Sequence, residues 1–194
     1  MKNYIKGQEF KYYNVLKAAQ EGLKKDFFAV YPSYHDPDNT FLVTGAEYLL
    51  RPNSWKVYPI KYTAELYDSL EHNDVEEAMK FIELHKDKFP TACKLIEHFG
   101  DTVKTAAYLV LDAHASINRH YDAENSDGSL VCIHIPLDIP KGDLGLEVED
   151  EIARWEDIFA YNSQKIHWAW NNTNKSRLIF VMDFTKESCG LEWL

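Results

Sequence analysis

Several features are scarce in this sequence, and each scarcity removes a class of protein. Only three of the 194 residues are cysteine, and Cys93, Cys132 and Cys189 lie too far apart for a CxxC pair or a disulfide framework. The first residues, Met1 to Lys6, carry no apolar run of the secretory type. Both observations lead to the expectation of a cytoplasmic protein. No apolar stretch approaches the roughly 20 residues of a membrane-spanning helix, so no membrane partner is expected. Basic residues are outnumbered, 21 against 31 acidic, for a net charge of −10. That argues against unaided binding to nucleic acid or anionic lipid, which requires concentrated Lys and Arg. Internal repeats, low-complexity tracts and Gly/Ser-rich linkers are missing too, so the chain reads as one continuous unit.

What the chain does have is bulk for a core: 45% hydrophobic residues, among them 12 Tyr, 10 Phe and 5 Trp. The first half reads as helical. Phe10, Tyr13, Leu16, Ala19 and Leu23 recur at helical spacing. Asp26 to Tyr31 then reads as a strand stopped by Pro32, and 32–40 has loop chemistry. A second helix is expected from Val75 to Lys86, capped by Asn73 or Asp74, and a third from Pro90 to Gly100. The second half consists of short apolar or alternating runs at 105–111, 130–137, 144–148, 157–161 and 177–184. They are separated by turns at Asn125–Gly128, Pro140–Asp143 and Asn171–Asn174. The expected architecture is mainly β with flanking helices packed on a barrel or sandwich. Residues 1–50 form an extension on a barrel domain spanning 51–194.

Three residues stand out chemically. In His120-x-Asp122 an extended backbone puts both side chains on one side. His167 follows 45 positions after Asp122. Two imidazoles and one carboxylate on one face of a metal leave open positions, the arrangement of non-haem Fe(II) oxygenases. Arg177 opens the last strand, ten positions after His167. Alternation groups it with Ile179 and Val181, and an inward arginine needs an anion such as a carboxylate. On the strand at 130–137, Val131, Ile133, Ile135 and Leu137 fill one face, which leaves Cys132 and His134 on the other. If that face lines a cavity, His134 can donate to a bound carboxylate. Trp168 and Trp170, beside His167, either wall the cavity or simply pack. His114 reads as exposed in a turn, and Arg119 as either solvated or a substrate contact.

In this order the residues resemble the aspartyl/asparaginyl β-hydroxylase family of Fe(II)/2-oxoglutarate dioxygenases, over roughly two-thirds of the chain from Trp55 to Phe184. The segment Pro90–Phe99 is similar to the family's helix ahead of the barrel. The strand ending Tyr108-Leu109-Val110-Leu111 precedes a turn and then His120. Ile133-His134-Ile135-Pro136 resembles the family's His-containing strand, and His167, the Asn-rich turn and Arg177–Asp183 match its closing signature. The resemblance implies a double-stranded β-helix (jelly-roll, cupin-like) fold with Fe(II) on His120, Asp122 and His167. It further implies 2-oxoglutarate held by Arg177 and His134, with Tyr108 on the cosubstrate side, and O2 as the oxidant. The substrate would be an amino acid, free or within a peptide, of the Asp, Asn or Pro type. The chain departs from the family at three places. Asp122 stands where mammalian-type members carry Gly, Cys132 where members with a complete triad carry Arg, and Leu109 where some members place Ser. Asp122 occupies the position a halogenase leaves for chloride, which favours hydroxylation. Two other readings of the same residues are a non-catalytic jelly-roll module holding a metal or small acid, and a zinc hydrolase.

Overall fold

In the computed structural model, the described residues are 3–32, 54–63, 72–122 and 125–191. The first elements are strand β1 (Tyr4–Lys6) and helix α1 (Tyr13–Val30), followed by strand β2 (Trp55–Lys61) and helices α2 (His72–His85) and α3 (Pro90–Phe99). Eight strands then succeed one another: β3 (Val103–Leu111), β4 (Ala115–His120), β5 (Leu130–Asp138), β6 (Leu144–Val148), β7 (Glu151–Ala153), β8 (Phe159–Tyr161), β9 (His167–Asn171) and β10 (Arg177–Thr185). A short helix α4 (Lys186–Cys189) follows.

These strands form two sheets, ordered β1-β8-β5-β10-β3-β2 and β4-β9-β6-β7, and every pairing is antiparallel. From β3 onward the chain crosses repeatedly between the sheets and finishes with β10 paired to β3. That topology is a jelly-roll, the double-stranded β-helix, which limits exposed edges by wrapping one sheet over the other. The fold is therefore mainly β with flanking helices.

The six-stranded sheet carries a core on each face. Toward the helices, Phe180, Met182, Phe184, Val131, Ile133 and Ile135 pack against Leu16, Leu23, Phe27, Leu95 and Phe99. Toward the four-stranded sheet, Ile179, Val181, Ala107 and Cys132 meet Ile117, Leu144, Leu146, Val148 and Ala169. The period of two along each strand sorts side chains between these layers.

Helix α1 differs from expectation. The stretch 26–31 is not a strand: the helix runs on to Val30, and Tyr31 leaves it just before Pro32. Phe27 lies four residues beyond Leu23 and extends the buried stripe. Its ring packs 5.3 Å from Tyr58 and 5.0 Å from Tyr108, so tertiary burial overrides the strand propensity of the Phe-Phe-Ala-Val run. Helix α3 has the expected Pro90 start and Gly100 stop, where φ is +56°. Its first turn is capped from outside, the Thr91 N–H donating to Asp26 at 2.6 Å. Helix α2 begins at His72, which places Asn73 and Asp74 inside it and not at its cap. The loop expected at 32–40 falls almost wholly outside the described residues. Strands β1, β2, β4, β7 and β9 are not among the expected runs. Strands β1 and β7 have three residues each, and β4 and β9 mix polar with apolar residues.

Candidate active site

Two of those unanticipated strands carry the site. His120 ends β4 and His167 begins β9, and the two are cross-strand partners beyond a register irregularity after Ile117. Their rings lie 4.3 Å apart between centroids. Asp122 lies two residues past β4, and its backbone N–H donates to Ser163 O at 3.0 Å. Its Oδ1 sits 3.6 Å from Nε2 of His120 and 3.6 Å from Nε2 of His167. Each histidine is oriented by the carbonyl two residues before it: Nδ1–H of His120 donates to Asn118 O at 2.7 Å, and Nδ1–H of His167 to Lys165 O at 2.9 Å. With the proton on Nδ1, both Nε2 lone pairs turn toward Asp122. One ligand atom from each of the three residues falls within 4.8 Å of the others.

The electrostatics suit a cation. Burial, with His167 as a neighbour, pulls His120 down to about 4, and burial alone pulls His167 to about 4. Both are neutral at physiological pH. Burial and the nearby Asp183 carboxylate push Asp122 up to about 7. Two neutral imidazole nitrogens and one carboxylate oxygen in an enclosed space make a donor set that fits a divalent transition metal.

Arg177 enters the same barrel from β10, with Ile179 and Val181 as its alternating companions. It is 1% exposed, and its Nε has no hydrogen-bond partner. Its guanidinium lies 4.5 Å from the ring centre of Trp155. No carboxylate pairs with it among the described residues. Burial pulls its pKa to about 9, so it remains cationic at neutral pH. Trp155 also donates its Nε1–H to Nδ1 of His134 at 3.1 Å. That fixes the neutral His134 as the tautomer with its proton on Nε2, a donor. The imidazole is kept neutral by burial and by the charge of Arg177. Phe159 and Tyr161 pack on its ring, and Tyr161 reaches on to His167 at 5.1 Å.

Tyr108 is a correction. Its ring packs on Phe27, Phe89 and Phe180, and its hydroxyl donates to Leu23 O at 3.1 Å. It belongs to the helix-facing core, on the opposite face from Arg177 and His134, and cannot contact a cosubstrate there. Trp168 and Trp170 alternate with His167 and Ala169 and so point away from the barrel interior. They stack on each other at 4.7 Å, under Arg119 and Arg154. Arg119 itself pairs with Glu147. His114 is exposed, with φ +55°, and hydrogen-bonds Asn174 at 2.8 Å.

Four residues of the site were not anticipated in these positions: Trp155, Tyr161, Ser163 and Asp183. Asp183 was legible in principle, because the alternation that turns Arg177, Ile179 and Val181 inward also turns Asp183 inward. Thr105 Oγ1 donates to its carboxylate, and Cys132 hydrogen-bonds it from β5.

The profile of the aspartyl/asparaginyl β-hydroxylase family matches residues 15–187. No protein of curated function gives a significant sequence match. Among solved structures, a Trichoplax adhaerens prolyl hydroxylase in complex with a hypoxia inducible factor oxygen degradation domain peptide is similar at 15% identity, covering 90% of this chain and 82% of its own, with a TM-score of 0.45. A 2OG-Fe(II) oxygenase family oxidoreductase from Burkholderia pseudomallei is similar at 10% identity, covering 68% of each chain, with a TM-score of 0.39. A Cupin 2 conserved barrel domain protein from Salinispora arenicola is similar at 13% identity, covering 43% of this chain and 64% of its own, with a TM-score of 0.32. No described helix is long and apolar enough to cross a membrane. It is the profile, running from α1 into α4, that identifies the chain: it belongs to the aspartyl/asparaginyl β-hydroxylase family.

Proposed function

We propose that the protein is an Fe(II)- and 2-oxoglutarate-dependent dioxygenase that hydroxylates an amino acid, either free or as an Asp-, Asn- or Pro-type residue of a peptide. One observation carries this reading: a three-donor cluster and a buried guanidinium that has no counter-charge among the described residues lie on the same barrel interior. A buried, unpaired cation costs several kcal/mol, on the order of a lost salt bridge, and a carboxylate ligand offsets that cost. His120, Asp122 and His167 would hold the metal. Bound Fe(II) would supply the O2 chemistry that couples decarboxylation of 2-oxoglutarate, to succinate and CO2, with oxygenation of a C–H bond.

The chain's own residues have definable tasks. The Asn118 and Lys165 carbonyls hold both imidazoles in the tautomer that presents Nε2. Ser163 holds the Asp122 loop. Arg177 takes the distal carboxylate of 2-oxoglutarate in two-point contact, and Trp155 sets the plane of the guanidinium. Nε2–H of His134 donates to the same cosubstrate, its tautomer set by Trp155. Phe159 and Tyr161 exclude water between the two ends. The three free thiols suit a reducing compartment.

Purified protein with Fe(II), 2-oxoglutarate and O2 is expected to release succinate, slowly alone and faster with substrate. His167→Ala abolishes release together with metal binding. Arg177→Gln keeps metal binding and weakens 2-oxoglutarate binding by about 2–5 kcal/mol. Succinate release that survives His167→Ala, or wild-type affinity for 2-oxoglutarate in Arg177→Gln, would refute the assignment. A hydrolase or a binding module would consume no O2.

A further inference from the structure

Strand β10 carries a second charged side chain on its barrel face. Asp183 stands at the far end of the strand from Arg177, in a row across the sheet with Thr105 on β3, Cys132 on β5 and Tyr161 on β8. Its partners in that row are neutral: the Thr105 hydroxyl donates to it, the Cys132 thiol stands next to it on β5, and Tyr161 follows on β8. No Lys or Arg pairs with it among the described residues. Buried Lys56 shares the helix-side parity of Tyr58 on β2 and is held by Asp112 at 3.5 Å.

Asp183 is not sealed in packed core. Every residue of β10 from Arg177 to Met182 is buried, yet Asp183 is only half-buried. A half-buried side chain on the barrel face lines an opening. That opening is the one the triad faces, because the Asp183 charge acts on Asp122 and because Tyr161 lies beside both His167 and Cys132. Charge then decides what else fits. In the loaded site the charges of a divalent ion, Asp122, Arg177 and a bound keto diacid cancel. Asp183 is left as the uncompensated charge of the cavity, in surroundings where that is costly. Among the described residues no second buried cation on this face stands ready for a carboxylate on the prime substrate.

Building on the oxygenase reading, we propose that Asp183, supported by Thr105 and Cys132, anchors the ammonium or guanidinium group of a basic prime substrate in the cavity shared with His120, Asp122 and His167. The substrate class is lysine- or arginine-like, either a free amino acid or a residue in a peptide, and in the peptide case it replaces the Asp-, Asn- or Pro-type residue of the family reading. Asp183 discriminates by accepting charge-assisted hydrogen bonds that a neutral isostere cannot supply.

The test uses the full chain and isothermal titration. Mn(II) and 2-oxoglutarate are titrated first, and failure there counts against the oxygenase reading alone. Matched pairs follow, with and without Mn(II) and 2-oxoglutarate: L-arginine against L-citrulline and L-lysine against L-norleucine. Each is supplied free and as the centre of an acetylated, amidated tripeptide. In at least one format the cation is expected to bind about tenfold or more tighter than its neutral partner. The tighter format separates a free amino acid from a peptide residue. Asp183→Asn, compared at saturating Mn(II), should bring the ratio to within about twofold. Equal binding of cation and isostere by the wild type overturns the proposal without any variant, as does a preference that persists in Asp183→Asn. Bound Mn(II) should also broaden the proton resonances at the end of the lysine side chain, and sharp resonances from bound lysine would place the cation elsewhere and overturn the assignment.

Discussion

The six-stranded sheet has two faces made from the same strands, and they do opposite things. On the helix side, Leu178, Phe180, Met182 and Phe184 of β10 join Tyr108, Val131, Ile133 and Ile135 in a continuous apolar layer. One residue along in each strand, Arg177, Asp183, Cys132 and His134 point into the barrel beside the triad. The helix face is closed, and its Tyr108 hydroxyl is satisfied by a carbonyl. The barrel face holds His134, kept neutral by burial, together with a guanidinium without a carboxylate partner among the described residues and a carboxylate whose partners there are neutral. The apolar face supplies the stability that lets the polar face hold groups a stable core would reject. A period of two is what allows one strand to serve both.

The sharpest way to break this division is to damage one face and read the other. Phe180 is fully buried and packs on Tyr108 at 4.7 Å. Phe180→Ala should cost about 3–5 kcal/mol in global stability, from lost transfer energy and the cavity left behind. Below the melting transition its Mn(II) affinity should match the wild type. A large loss of metal affinity in folded Phe180→Ala protein would show that the faces are mechanically coupled and that the division is wrong.

The pH dependence sharpens the same contrast from the other side. In chelator-treated protein, His120 and His167 titrate near 4 in the fold, while the unfolded chain takes up those protons near the ordinary imidazole value of about 6.5. Their contribution is complete above about 6.5 and is lost as pH falls toward 4. His134, held well below its ordinary value by burial, acts in the same direction. Asp122 opposes them: its native carboxyl takes a proton near 7, earlier than in the unfolded chain. Asp183, also raised by burial, opposes them too, but three imidazoles outweigh two carboxyls. Each excess proton bound by the unfolded state is worth about 1.4 kcal/mol per pH unit. Thermal melts in chelator should therefore shift downward between pH 6.5 and 4.5, and His167→Gln should flatten the slope. Melts that stay level, or rise, across that range would mean that the imidazoles are not buried as neutral groups.

How much of this was legible follows from the patterns themselves. The strands at 130–137 and 177–184 announce their faces because one parity is uniformly apolar and the other is not. Arg177 and His134 could be placed inward from sequence for that reason, and Asp183 could have been. The triad could be suspected from residue types, but not the cross-strand pairing of its histidines. Strands β4 and β9 mix polar with apolar residues too closely to be read. The helix at 26–31 was hidden by an aromatic, β-branched run whose conformation is decided by Tyr58 and Tyr108, both distant in sequence. Strand β3, Val-Lys-Thr-Ala-Ala-Tyr-Leu-Val-Leu, is apolar on both faces over its last five residues, so nothing local says which way Tyr108 points. Only the register that sets Tyr108 opposite Phe180 does.

That position supports the smallest and most specific prediction. Tyr108→Phe removes a single hydroxyl whose partner is the Leu23 carbonyl at 3.1 Å, in a site where the ring keeps all its contacts. The cost is one net hydrogen bond plus a carbonyl left unpaired by this side chain, about 1 kcal/mol. The affinity for 2-oxoglutarate should not move, because the hydroxyl lies on the other side of the sheet from Arg177. Titration of the variant with 2-oxoglutarate in the presence of Mn(II) decides the matter. A severalfold loss of affinity at unchanged stability would return Tyr108 to the cosubstrate side and reverse the parity assigned to β3.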